Sequence, residues 1–341
     1  MTTPTRRANL DLVASAAGVS RMTVSNVYNR PEVVAPETRE RVLAAAAELG
    51  YGGPSPVGRN LRRGSTNVLG LLIRVGLPDA FADPAAAEFM RGIAQGCDEA
   101  DLSLQIVHAT GPSATQRVNQ AAVDAFVAWS LAAEDAALAA AVARRVPVVA
   151  FGGTDELEDV PYVCSDNRGG ARELARHVLA GGVEHLAIVT CHLQTKEFAE
   201  RLAGWREAAQ EAGLDWDEVV QVDEPLSGRP YGRDASEQLV DVVRPGGRWG
   251  VLAMTDALAL GVLQGFEEAG VRCPEDVAVA GYDDIVEAAT STPPLTTVRQ
   301  DIAELGRECA LRAAGRITGP TSPHATSLVV RESTTPAEEP R

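Results

Sequence analysis

The sequence predicts an N-terminal three-helix helix-turn-helix head, a hinge helix, and a bilobed α/β body with two parallel-sheet lobes. Three observations predict it. Residues 10–29 read helix, glycine, helix; a Gly-Gly-Pro break at 52–54 leads into the arginine-rich RNLRRG; and from Asn67 apolar strands alternate with amphipathic helices through two rounds. The expected boundaries are a head at 8–53, a hinge helix and linker at 54–66, a body at 67–333 and a disordered tail at 334–341.

In the head, Leu10, Val13, Ala14 and Ala17 recur at helical spacing and make one apolar face. Gly18 ends that helix, because glycine takes a positive φ cheaply. Val19 plugs the small core, and Ser20 is a natural N-cap for a second helix. The second helix turns Val24 and Val27 inward and Arg21, Met22, Ser25, Asn26 and Asn29 outward. A capped helix with one polar face fits the major groove of B-DNA. There Arg21 can address guanine, Asn26 adenine and Met22 a thymine methyl, while Ser20, Thr23, Ser25 and Asn29 can hold phosphates. VVAPETRERVLAAAAELGY then supplies a third helix to complete a bundle.

Charge distribution agrees with a nucleic-acid partner where net charge alone does not. The whole chain carries −16, yet residues 1–64 hold nine arginines against five carboxylates. That leaves 22 basic and 42 acidic residues for the remainder, so a basic head sits beside an acidic body. No apolar run is long enough for a membrane span, and MTTPTRRANLDLV has no apolar core of signal-peptide length, so a cytoplasmic protein is expected. Five cysteines, scattered and without C-x-x-C, read as reduced and mostly buried thiols.

Along the body, strands are expected at VLGLLIRV, LSLQIVHA, DAFVAWS and VPVVAFGG, and again at HLAIVTC, VVQVD, WGVLAMT and VAVAGYDD, with helices between them. PPLTTVRQ reads as a crossover, followed by a last helix from Ile302 and a final strand SLVVRES that bring the chain back to finish the first lobe. Ligands of such tandem units sit at the carboxyl ends of the strands, in the cleft between lobes.

Ala17, Gly18, Val19, Ser20, Thr23, Val24, Ser25, Val27 and Asn29 match the pattern A-G-V-S-x-x-T-V-S-x-V-x-N almost completely. With that motif the chain resembles the lactose-repressor (LacI/GalR) family of bacterial transcription regulators. Blocks such as SDNRGGARELARHVLAGGVEHLAIV and DALALGVLQGFEEAGVRCPEDVAVAGYDD carry the resemblance over almost the whole chain, to about Ser333. It implies a periplasmic-binding-protein-like body, a pseudo-palindromic operator bound by a homodimer, and a small-molecule effector, a sugar or sugar derivative. It also implies a hinge helix in the minor groove, with Leu61 as a wedge between base pairs and Arg59 and Arg62 beside it. Gly58 stands where alanine is typical and Ser55 where asparagine is commoner, so the hinge is expected to fold only on DNA. Ala35 stands where a serine cap is usual before the third helix. The polar tail without heptads implies a dimer lacking a tetramer-forming coil.

For the effector, the resemblance gives Arg201 as a grip on hydroxyls and Asp283 as their acceptor; an Arg–Asp structural pair between lobes is the alternative reading. Thr255-Asp256 stands where the family often has Asn-Asp. Asp83-Pro84-Ala85-Ala86 lacks the usual aromatic pair, which removes a sugar-stacking platform and enlarges the pocket. Trp205, Tyr282 and Trp129 are the remaining candidates for apolar walls, and a larger or non-carbohydrate effector stays open. Residues 108–124 look short, so the second helix of the first lobe is expected to be truncated. No cofactor or metal is expected: His185, Cys191 and His192 read as strand residues, and no G-x-S-x-G, Walker A or H-E-x-x-H motif marks an enzyme. The rival class is a stand-alone solute-binding protein with a degenerate head.

Overall fold

The computed structural model describes residues 8–53, 64–129, 135–152, 160–192, 195–243 and 247–335. The chain divides into two compact units, residues 1–66 and 67–341.

In the first unit, α1 (Leu10–Ala17), α2 (Arg21–Asn29) and α3 (Pro36–Glu48) surround a core of Val13, Ala17, Val24, Val27, Val42 and Ala46. Each boundary has a local cause. Asn9 caps α1 by accepting from the Leu12 amide, and Gly18 closes it at φ 64°. Ser20 Oγ accepts from the Thr23 amide at 3.1 Å to start α2. Ala35 makes no side-chain cap and Pro36 occupies the first turn of α3. The Arg41 guanidinium crosses to the Ala17 carbonyl at 3.0 Å, satisfying a free C-terminal group of α1.

The second unit holds two parallel sheets. The first lobe orders its strands β2-β1-β3-β4-β5, from β1 (Val68–Ile73), β2 (Ser103–His108), β3 (Ala125–Trp129), β4 (Val148–Phe151) and β5 (Tyr162–Val163). Its helices include α4 (Leu77–Ala82), α5 (Pro84–Ala100), α6 (Ala114–Gln120) and α7 (Ala136–Ala143). At seven residues, α6 is the short helix that its segment's length predicts. The second lobe orders β7-β6-β8-β9, from β6 (His185–Cys191), β7 (Val220–Glu224), β8 (Trp249–Ala253) and β9 (Val277–Ala280). Around it lie α8 (Asn167–Ala180), α9 (Lys196–Glu211), α10 (Arg229–Val243), α11 (Asp256–Ala269) and α12 (Val286–Thr290).

The last helix returns to the first lobe as the sequence predicts, but the final strand does not: among the described residues no C-terminal strand joins the first sheet. After β10 (Thr297–Arg299), α13 (Ile302–Ala313) packs on α5, burying Ile302, Leu305, Cys309 and Ala310 against Phe89, Ile93 and Cys97. Arg307 grips both carboxylate oxygens of Glu99 across that seam at 2.7 Å. A separate antiparallel pair joins β10 to β11 (Ser327–Val329). The chain therefore crosses between lobes three times, near 163–167, 299–302 and 313–327, and two crossings touch where His324 bridges Ser165.

Several expectations change. The tail does not begin at 334: Ser333 and Thr334 are buried, with Ser333 Oγ donating to the Val279 carbonyl and the Thr334 hydroxyl meeting that of Thr296. The strand read as VAVAGYDD stops at Ala280, because Asp283 (φ 118°) and Asp284 (φ 58°) leave the extended region. α4, α12 and β5 were not expected, being too short to show a period. All five cysteines are free thiols and four are buried. Among the described residues no helix is long and apolar enough to cross a membrane. Hinge residues Arg59, Leu61 and Arg62 lie outside the described residues.

Candidate DNA interface and effector cleft

On the head, packing decides which side chains of α2 remain available. Val24 and Val27 face the core, and Arg21 and Met22 are exposed, Met22 to 68%. Thr23, Asn26 and Asn29 are half-buried at the margin of the same face. Ser20 is exposed, with its hydroxyl 2.9 Å from that of Thr23. Ser25 departs from the outward placement expected of it. It is buried, and the Asn29 amide donates to its carbonyl at 2.7 Å and its hydroxyl at 3.2 Å. The physical reason is its position between Val24 and Val27, where the helix turns toward the core. Arg21 lies 3.6 Å from Asp11, both largely exposed, a pair weak enough to release on meeting a phosphate or base.

In the body, a cleft of about 440 Å³ opens between the lobes. Arg201, on α9, and Asp283, just after β9, both line it and are both buried. Arg201 Nη2 lies 3.3 Å from Asp283 Oδ1, Nε donates to Asn167 Oδ1 at 2.9 Å, and Nη1 donates to the Met254 carbonyl at 2.7 Å. The guanidinium sits 3.7 Å above the Tyr282 ring centroid. The pair lies within the second lobe and faces the cleft, so it does not bridge the lobes. Burial pushes the Asp283 carboxyl up to about 6 against the downward pull of Arg201, and the nearby Asp83 carboxylate adds to the rise. Asp284 anchors the strained loop, accepting from Arg299 and Arg331 at 2.6 Å each.

Three expected effector residues are not in the cleft wall. Asp256 is fully buried, accepting from Thr297 Oγ1 at 2.6 Å and the Ile285 amide at 3.0 Å. Burial, with Asp283 nearby, holds its carboxyl well above the usual range. It ties the start of α11 to the loop after β9. Trp205 belongs to the second lobe's core, and Tyr282 underlies Arg201. Thr255 does line the cleft, but its hydroxyl caps α11 and donates to the Ser227 carbonyl.

Other groups complete the wall. Trp129 lines it as expected and stacks on Phe89 at 5.8 Å; Phe151, also in the wall, meets Phe89 at 4.8 Å. Trp129 and Phe151 thus give the wall an aromatic face, although Ala85 and Ala86 supply none. Asp83 caps α5 from the cleft's edge, accepting from the Ala85 amide at 2.9 Å. Glu197, on the first turn of α9, is buried in the wall. Its carboxylate fills the space against Gly152 of the opposite lobe, where an added Cβ would overlap it; Gly152 also holds φ 94°. Gln300, at the second crossing, reaches the cleft and donates to Asp283 Oδ1 at 2.7 Å. No sequence signal pointed to Glu197, whereas the polar end of the PPLTTVRQ crossover could have pointed to Gln300.

Comparison with known proteins accounts for both units. Residues 9–53 match the family model "Bacterial regulatory proteins, lacI family", and residues 175–334 match "Periplasmic binding protein-like domain". The HTH-type transcriptional regulator Rv3575c of Mycobacterium tuberculosis is 35% identical over 324 residues, covering 87% of this chain and 88% of that protein. The structure of the transcriptional regulator CelR in complex with cellobiose aligns at TM-score 0.69 and 31% identity, over 96% of this chain and all of that one. The lac repressor dimer bound to operator and an anti-inducer aligns at TM-score 0.78 and 25% identity, over 96% and 99%. This chain is a member of the LacI family of bacterial transcriptional regulators.

Proposed function

We propose that the protein is a cytoplasmic repressor that binds a pseudo-palindromic operator as a homodimer and is switched by a neutral sugar held in the interlobe cleft. The observation that carries the DNA half is α2, capped by Ser20, anchored by Val24 and Val27, and presenting Arg21, Met22 and Asn26. Arg21 and Asn26 read base edges by paired hydrogen bonds, and Met22 contributes apolar contact only. Ser20, Thr23 and Asn29 hold phosphates, while Ser25 serves to fix Asn29. Two heads on one operator require half-sites about one helical turn, ~34 Å, apart. Arg59, Leu61 and Arg62 of the hinge contribute minor-groove contacts, as the family resemblance implies.

The buried Arg201–Asp283 pair supports the effector half. Asp283 Oδ1 accepts from both Arg201 and Gln300, and Oδ2 accepts from none of the described residues, so one oxygen is left for a ligand hydroxyl. The aromatic face of Trp129 and Phe151 offers a stacking surface for a sugar ring. Five carboxylates (Asp79, Asp83, Glu197, Asp283 and Glu287) line the same cleft against three arginines (Arg74, Arg201 and Arg229), a mixed lining that suits a neutral, hydroxyl-rich effector. The cellobiose bound by CelR supports the carbohydrate class. Selection of random double-stranded DNA on the purified protein tests the first half. An enriched inverted repeat is expected, and the absence of any enriched sequence, with or without sugars added, would overturn it.

A further inference from the structure

Five buried polar residues, three in the cleft wall and two behind it, close into a ring through their side chains and one backbone carbonyl. Ser165 Oγ donates to Gln300 Oε1 at 2.8 Å, and Gln300 Nε2 donates to Asp283 Oδ1 at 2.7 Å. Arg201 Nη2 donates to the same oxygen at 3.3 Å, and Arg201 Nε donates to Asn167 Oδ1 at 2.9 Å. Asn167 Nδ2 returns to the Ser165 carbonyl at 3.2 Å. All five residues are buried. Two of them, Arg201 and Asp283, face the cleft from the second lobe. The others belong to chain that crosses between lobes: Ser165 and Asn167 to the first crossing, Gln300 to the second.

We propose that Gln300 and Asn167 are positioning residues, which hold the Arg201–Asp283 pair in one geometry and tie it to two of the three interlobe crossings. This rests on the cleft being the effector site. The ring leaves each member little freedom. Gln300 both accepts and donates, so its amide orientation is set by Ser165 on one side and Asp283 on the other. Because Oδ1 is saturated by Gln300 and Arg201, a ligand hydroxyl is directed to Oδ2. A ligand that pulls Asp283 or Arg201 into new bonds draws on the Gln300 and Asn167 contacts too, and so acts on the segments about which the lobes turn. Buried polar networks of this kind respond as a unit rather than bond by bond.

Replacing Gln300 with glutamate tests the ring without any effector, so its outcome is independent of which ligand the cleft takes. Glutamate is isosteric. Protonated, it still accepts from Ser165 and donates to Asp283; ionised, it sets two carboxylates against each other. Around this point lie the Arg201 guanidinium and the carboxylates of Asp83, Asp256 and Asp283, with Asp166 and Glu197 nearby. The pair therefore holds a proton to higher pH when folded than when unfolded. Its stability contribution is intact in acid and is lost as pH rises through the folded value.

Gln300→Glu is expected to melt close to the wild-type protein at pH 5 and about 4–8 °C below it at pH 8. Ser165→Ala, which loses a neutral bond, is expected to give the same small offset at both pH values. Amide exchange over residues 164–167 of Gln300→Glu at pH 8 should rise roughly tenfold, although the substitution lies far along the chain. An offset for Gln300→Glu that does not change between pH 5 and pH 8 would overturn the donation to Asp283. Unchanged exchange at 164–167 would overturn the coupling to the crossing.

Discussion

The head and the cleft keep their charged groups under opposite conditions. Arg21 and Asp11 approach within 3.6 Å with their side chains 69% and 64% exposed, whereas Arg201 and Asp283 approach within 3.3 Å at 5% each. An ion pair in water is worth little and can be exchanged for a DNA contact at small cost. A buried pair is held by its surroundings, and removing one partner strands the other. On the proposed function, the head would offer adaptable groups to a large polyanion, while the cleft would offer a rigid frame to a small molecule. Preorganisation in the cleft favours discrimination, because a ligand lacking the matching hydroxyl leaves buried charge unsatisfied.

Substitutions on the two sides should separate in size. The largest effect is expected for Arg201→Ala, which takes the counter-charge from the buried Asp283, leaving it Gln300 as donor, strips Asn167 Oδ1 of its guanidinium donor and removes the cation from Tyr282. A stability loss of about 3–5 kcal/mol in urea unfolding is expected; a loss under about 1 kcal/mol would place the pair among surface-like contacts. Ser20→Ala in the head deletes one N-cap and should cost about 1 kcal/mol. That loss should appear in the melting of a head-only transition and not in the body's. Asp11→Ala, smallest of all, should leave thermal stability unchanged while freeing Arg21; a measurable loss would mean that the exposed pair is organised like the buried one.

The same contrast explains what could be read from the sequence. In the head, caps, the glycine turn and the apolar period are local, so α1, α2 and their boundaries were legible residue by residue. Only Ser25 was misplaced, by a helix phase that two valines impose on their neighbour. In the body, strand and helix order was legible from patterning. Which side chains line the cleft was not, because that depends on where distant segments meet. Asp256, Trp205 and Tyr282 sit beside motif positions that do reach the cleft, yet packing turns each into the lobe's interior. Glu197, Gln300 and Phe151 reach the cleft from segments whose sequence carries no ligand motif. Their placement follows from the positive φ of Gly152, the second crossing and the strand end of β4.

The most direct test of the account joins its two regions in one measurement. Affinity for the selected inverted repeat would be followed by fluorescence anisotropy at fixed salt, with cellobiose, ribose and other neutral sugars added in turn. The account predicts that at least one neutral sugar shifts operator Kd by roughly tenfold or more, within the usual range of coupling between sites, and that Arg201→Ala abolishes the shift while still binding the repeat. An operator Kd indifferent to every neutral sugar, or a shift that survives in Arg201→Ala, would contradict it.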